Sequence, residues 1–286
     1  MAIASDPGMN AMDRMNRRTL LDAGFVEESV DSPVGRQTCF SIGTGQPLWL
    51  LHGAGDNAGA WSKTATPLAA SGRYRILIPD LAGHGTSEPG EGRLSMEIFL
   101  AGLTAVAERA ADGPAILTGN SFGAWLAMVW ARENPDRVER LVAVNGGPVT
   151  GLRPDLTLMP PDRVEARRLW QALVDQSHWA VPDFVLDEVI RKGRDGAIPR
   201  MSIPEMQPYL MDGHLAEFAA PVDLIWGESD QVVPLAYARQ LQAGLAAARL
   251  TTIPGCGHVP QLECPERFNA ALLGVLRQPP PARQPT

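Results

Sequence analysis

One serine has neighbours of the kind that make a hydroxyl reactive. Ser121 stands in Gly119-Asn120-Ser121-Phe122-Gly123, after the apolar run Pro114 to Thr118 and before Ala124 to Trp130, which reads as a helix. A strand, a tight turn and a helix in that order present a nucleophile at the bend. Glycine on both sides fits a strained elbow: the serine takes an unfavourable backbone angle, and side chains at 119 and 123 are expected to collide across the turn. A serine hydroxyl in water is a poor nucleophile. At the amino end of a helix and beside a base it is activated, and backbone N–H groups there receive the charge that develops on a carbonyl oxygen. The pentapeptide alone also arises by chance, so the reading depends on partners elsewhere in the chain.

Such a serine needs a base, and the base needs a carboxylate to orient it. His258 lies in the glycine-rich segment Pro254 to Pro260, after a predicted strand, where the chain can bend it inward. Asp230 follows the apolar run Val222 to Trp226, and the stretch from Asp230 to His258 accommodates one helix and one strand. Both side chains then emerge from the same sheet edge at neighbouring strand ends. Glu228 is the competing acid, and strand-end geometry favours Asp230. Two further loops fit. Leu50 to Asp56 carries glycines that let backbone approach a substrate oxygen, so the N–H groups of Ala54 and Phe122 are expected to form an oxyanion hole. Asp80 to Ser87 supplies a tight turn near the site.

With these segments in the order Ser, Asp, His, the chain resembles the α/β-hydrolase superfamily from about residue 24 to 277. The resemblance implies a Ser-His-Asp mechanism through an acyl-enzyme, carried by Ser121, Asp230 and His258. Asp183 to Leu186, Trp226-Gly227 and Gly257 to Pro260 resemble bacterial esterases and the monoacylglycerol-lipase-like branch. Three departures bear on the chemistry. Ala124 stands where many relatives have a second glycine, Val259 where enzymes that cleave carbon–carbon bonds usually have tryptophan, and the nucleophile is serine where dehalogenases and epoxide hydrolases of this fold use aspartate. The expected activity is hydrolysis of short- to medium-chain carboxylic esters, with a small-molecule ester as substrate and no metal or other cofactor. Lactone, amide or carbon–carbon hydrolysis and acyl transfer are alternatives on the same three residues. A ligand-binding protein without turnover is the competitor from another class.

The elements that must position these residues read as α/β, with a mostly parallel central sheet flanked by helices. Candidate antiparallel strands near Phe25–Val30 and Gln37–Ile42 precede near-continuous apolar strands at 47–51, 74–78, 114–118, 141–144 and 222–226, as a sheet buried on both faces requires, and a further strand is expected near 250–253. Helices are expected at 95–111, after Ser121, and near 235–247 and 266–276. The expected organisation is an N-terminal lead (1–23), a hydrolase core (24–148 and 220–277), a helical cap (149–219) with periodicity at 164–174 and 181–190, and a disordered tail (278–286). Trp170, Trp179 and Phe184 of the cap, with Val259, are the candidate substrate-binding residues. Together with Met159, Met201, Met206 and Met211, the cap aromatics either line an acyl pocket or pack the cap helices together.

Other tempting residues have plainer readings. His52 and His84 are expected to be structural loop residues, and His178 and His214 to lie at the surface or in the core of the cap. Asn145, an amide, cannot replace the carboxylate, and Cys256 reads as a small buried thiol. Three cysteines, odd in number and without paired metal-ligand spacing, imply no disulfide framework. The net charge of −7 gives no basic footprint for nucleic acid. Residues 1–20 lack the order of a signal peptide, and no apolar stretch approaches the roughly 20 residues needed to span a bilayer, so stable membrane insertion is not expected and a cytoplasmic protein is the default. Nothing in the sequence sets the oligomeric state.

Overall fold

The computed structural model describes residues 9–110, 113–150, 155–175 and 181–283 of the 286-residue chain. Among the described residues, eight strands form one sheet: β1 (Val26–Val30), β2 (Gln37–Ile42), β3 (Gln46–Leu51), β4 (Tyr74–Pro79), β5 (Ala115–Asn120), β6 (Val138–Val144), β7 (Val222–Gly227) and β8 (Arg249–Ile253). Their spatial order is β1-β2-β4-β3-β5-β6-β7-β8. The β1–β2 and β2–β4 pairs are antiparallel and the remainder parallel. The helices are α1 (Ala11–Asp22), α2 (Ser62–Ala70), α3 (Met96–Ala110), α4 (Phe122–Glu133), α5 (Arg163–Leu173), α6 (Asp183–Asp195), α7 (Leu235–Gly244), α8 (Pro260–Glu263) and α9 (Pro265–Arg277).

The period of two along each strand sorts its side chains into two cores. Trp49, Leu51, Leu77, Leu117, Leu141, Ala143, Leu224 and Trp226 face α3, α4 and α7; Leu48, Leu50, Ile76, Ile78, Ile116, Val142, Val144 and Ile225 face α2 and α9. Alternate residues of one strand are thus buried on opposite faces, which is why these strands read as unbroken apolar runs. From β3 the chain turns to β4 on one side and then returns to β5 on the other. The carboxyl ends of β3 and β5 therefore flank a topological switch point, where open α/β sheets leave a crevice for ligands.

Three expectations change. The N-terminal segment is an ordered helix, α1, opened by an Asn10–Asp13 capping box. Its Arg17 is buried on Asp80 and also reaches Glu27. A charged, poorly apolar helix reads only as a lead because its anchor is an ion pair with a residue 63 positions away. The expected disordered tail is likewise attached as far as residue 283: Arg140 donates to the Gln278 carbonyl, Arg249 to the Pro279 carbonyl and Arg283 to the Val138 carbonyl. Third, Cys256 is bonded to Cys264, correcting the reading of a free buried thiol, while Cys39 is free and buried. No helix among the described residues is long and apolar enough to cross a membrane.

Candidate active site

Ser121 sits at the switch point between β5 and α4, with φ +54° and ψ −119°. For a residue with a side chain this is a strained conformation, held because the turn is packed on all sides. A Cβ at residue 119 would lie 2.4 Å from the Gly123 backbone, as expected. One at 123 would strike the Leu51 and His52 carbonyls at 2.4 and 2.5 Å, so the end of β3 also leaves no room for a side chain there.

The structure brings Ser121, His258 and Asp230 together. His258 Nδ1–H donates to Asp230 Oδ2 at 2.8 Å, which fixes the tautomer and leaves Nε2 to accept the Ser121 hydroxyl, also at 2.8 Å. Asp230 is held by more than histidine: Oδ1 accepts the N–H groups of Val232 and Val233 at 2.8 Å each, and Oδ2 accepts Asn145 Nδ2 at 2.7 Å. Four donors aimed at one carboxylate fix its plane and hence the imidazole that it orients. Glu228, the competing acid, instead accepts the Thr252 hydroxyl on the exposed side of the sheet edge.

Sequence reasoning set Asn145 aside as an amide. It is fully buried with φ +49°, and its Oδ1 accepts the Gly227 N–H while its Nδ2 holds Asp230. Asn120 was passed over too. Its Nδ2 donates to the His258 and Val144 carbonyls and its Oδ1 accepts from the buried Gln261, tying the elbow to the histidine loop. The signal for both was position, one residue before the nucleophile and one residue past the end of β6.

His52 and His84 brace the loop after β3. Leu81 N–H donates to His52 Nε2, and Gly55 N–H to His84 Nε2, both at 3.0 Å, so each ring carries its proton on Nδ1, facing the Gly53 and Ala82 carbonyls respectively. Burial lowers both imidazoles, His84 to about 3, so both are neutral near pH 7. Ala54 and Phe122 flank Ser121 on the cavity wall, and neither N–H donates to another described residue.

The cavity above Ser121 has a volume of about 510 Å³ and mostly apolar walls. Helices α5 and α6 roof it with Leu169, Leu173, Val189 and Lys192, and Ile198 and Met201 close one side. Val259 lines it. Trp170 and Phe184 do not, and Phe184 is 72% exposed, so both candidates are corrected; Trp179 lies outside the described residues, as does His178. Helical phase explains the correction. On α5 the inward stripe runs through Ala166, Leu169 and Ala172, and on α6 through Leu186, Val189 and Gly193, leaving Trp170 and Phe184 off both stripes. Of the cap methionines, Met201 lines the cavity, Met206 and Met211 are buried in the core, and Met159 is half exposed.

Two charged residues that sequence reasoning did not single out share the wall. Lys192 donates to Asp13 of α1 at 3.0 Å and faces Asp56. Burial alone would lower this lysine, but Asp56 and Asp13 outweigh it and hold it above the ordinary value. Burial pushes the Asp56 carboxyl up, and Lys192 opposes that rise.

Residues 50–271 match the model of the alpha/beta hydrolase family. The chain is 30% identical over 266 residues to a 2-hydroxy-6-oxononadienedioate/2-hydroxy-6-oxononatrienedioate hydrolase of Burkholderia vietnamiensis, covering 82% of this chain and 89% of that protein. It is 29% identical over 255 residues to a 2-hydroxymuconate semialdehyde hydrolase of a Pseudomonas species, covering 84% and 89%. The fold is similar to that of a carboxylesterase of Bacillus subtilis, with a TM-score of 0.73 at 19% identity over 94% of this chain and 99% of that one. With the fold, the switch-point serine and a family match over most of its length, the chain belongs to the alpha/beta hydrolase family.

Proposed function

We propose that the protein hydrolyses carboxylic esters through an acyl-enzyme on Ser121. The observation that carries this reading is the continuous hydrogen-bond chain from Asp230 through His258 to Ser121 at the floor of a largely apolar cavity. His258 takes the proton from Ser121 as its oxygen attacks the ester carbonyl, and the N–H groups of Ala54 and Phe122 receive the oxyanion. His258 then protonates the departing alcohol, and the same imidazole activates the water that releases the acid. Asp230 keeps Nδ1 protonated and stabilises the imidazolium. Asn145 holds the carboxylate, and neutral His52 and His84 hold the loop that carries Ala54. The apolar walls suit a short to medium acyl chain, with Val259, Leu173 and Ile198 limiting its length. The test is cleavage of a p-nitrophenyl ester series by wild type and Ser121→Ala.

A second reading, hydrolysis of a carbon–carbon bond beside a ketone, is favoured by one observation. The relatives named above act on oxo-acids that carry carboxylates, and Lys192 places an ammonium on the wall of the cavity. Against it, Asp13 and Asp56 already neutralise that ammonium. Serine-dependent consumption of 2-hydroxymuconate semialdehyde at a rate above that of every ester would establish the second reading in place of the first.

A further inference from the structure

The end of α5 is joined to both loops that carry the proposed acid and base. Ala172, Leu173 and Asp175 make the connections. The Ala172 carbonyl accepts the Gln231 N–H at 3.1 Å, next to Asp230, and the Leu173 carbonyl accepts the N–H of His258 itself at 2.7 Å. The Asp175 carboxylate accepts the Ser229 hydroxyl, and the Asp175 N–H donates to Glu263 Oε1 at 2.6 Å. The second oxygen of that glutamate, Oε2, accepts the Gly257 N–H at 2.6 Å. Both short bonds are charge-assisted, and both use backbone donors whose positions are fixed by the chain.

The approach is close enough to restrict the sequence. A Cβ at Gly257 would lie 2.3 Å from the Leu173 carbonyl oxygen, so this step before His258 has no room for a side chain while α5 is seated. The Cys256–Cys264 bond closes the loop at its base and sets Glu263 across from Gly257. α8, which carries Glu263, is a single turn between Val259 and Cys264 whose Pro260 and Gln261 are buried and whose Gln261 is bonded to Asn120. The carboxylate is therefore the shared anchor of two pieces of chain 88 and 6 residues away from it.

We propose that Glu263 is a positioning residue that clamps the end of α5 to the His258 loop, so that one carboxylate sets both the roof of the cavity and the place of the base. This rests on the reading of Ser121, Asp230 and His258 as the catalytic residues. Releasing the clamp lets Gly257 and His258 drift while the three side chains remain present. A displacement of about 1 Å between reacting groups costs on the order of a hundredfold in rate, and a partial release costs less.

The test uses full-length Glu263→Ala and Glu263→Gln beside wild type. Turnover of p-nitrophenyl butyrate is expressed per active serine titrated with a fluorophosphonate, and amide hydrogen exchange is followed at residues 256–260. Glu263→Ala is expected to lower kcat roughly tenfold or more with KM within twofold, and Glu263→Gln, which keeps one acceptor at the same length, to recover part of it. The Gly257 and His258 amides are expected to exchange faster in the alanine variant. Both variants keeping kcat within twofold of wild type, a change confined to KM, or unchanged exchange at 257 and 258 would each overturn the clamp. Absence of Ser121-dependent ester cleavage in wild type overturns the ester reading instead, and the exchange measurement then decides the clamp by itself.

Discussion

Replacing Arg17 by methionine isolates the ion pair that anchors the N-terminal helix. The Arg17 side chain is 6% exposed, and its guanidinium bonds Asp80, Glu27 and Thr86 and lies 4.7 Å from the centre of the Phe40 ring. Asp80 has a fully buried side chain and also accepts the N–H groups of Ala58 and Thr86. Burial works to raise the Asp80 carboxyl, but Arg17 and those N–H groups outweigh it and hold it below the ordinary carboxylate range. Methionine keeps the apolar stem and removes the charge, leaving a buried carboxylate without its cation. Breaking such a pair from one side costs about 3–5 kcal/mol. At an unfolding entropy of about 2.1 cal/mol/K per residue this lowers Tm by about 5–8 °C for a chain of 286 residues.

The sign of the pH dependence follows from the depressed carboxyl. Its contribution to stability is present above the unfolded carboxylate pKa and is lost as pH falls through the lower folded value. In Arg17→Met burial is opposed less, so Asp80 takes up a proton at higher pH than in wild type. The stability gap is therefore widest near neutrality and narrows as acid protonates the variant. Scanning calorimetry of both proteins between pH 7 and 4 measures it. A gap under about 1 kcal/mol at pH 7, or one that does not narrow with acid, would refute the argument.

Asp230→Asn leaves the fold in place but presents an amide to His258 Nδ1 and to Asn145, and is expected to lower kcat by about four orders of magnitude, read from steady-state kinetics. Leu173→Ala or Ile198→Ala enlarges the cavity and should move the preferred p-nitrophenyl ester to a longer acyl chain, whereas Trp170→Ala and Phe184→Ala should leave that preference unchanged. The Cys256–Cys264 bond closes a short loop, and its removal in Cys256→Ser/Cys264→Ser should cost about 2.5 kcal/mol in urea unfolding. Alkylation without reductant is expected to label Cys39 alone once the wild-type chain is unfolded.

The reacting residues and the sheet were legible because each leaves a local trace. Glycine flanks Ser121, Asp230 follows a largely apolar strand, His258 lies in a glycine-rich loop after a strand, and alternate burial on two faces makes a run such as Leu48 to Leu51 continuously apolar. Of the partners that hold those residues, Asn145 is marked only by its place one residue past β6, while Gln261 and Glu263 leave no trace: they act through contacts 141 and 88 positions away, and nothing in their neighbours distinguishes them from surface amides and acids. The Cys256–Cys264 bond was hidden by an odd cysteine count, which excludes a framework in which every cysteine is bonded but not a single bridge. Composition marked the cap as rich in aromatics and methionines. Which of them face the cavity was set by helical phase, and Lys192, one of two lysines in the chain, reached the wall on that phase while Phe184 did not.

The most direct test of the account is hydrolysis of p-nitrophenyl esters from acetate to palmitate by wild type and Ser121→Ala in parallel, with folded content matched by circular dichroism. The account predicts cleavage with an optimum at short to medium acyl chains and a loss of several orders of magnitude in the variant. Ester cleavage retained by Ser121→Ala, or no ester cleaved by wild type, would contradict it.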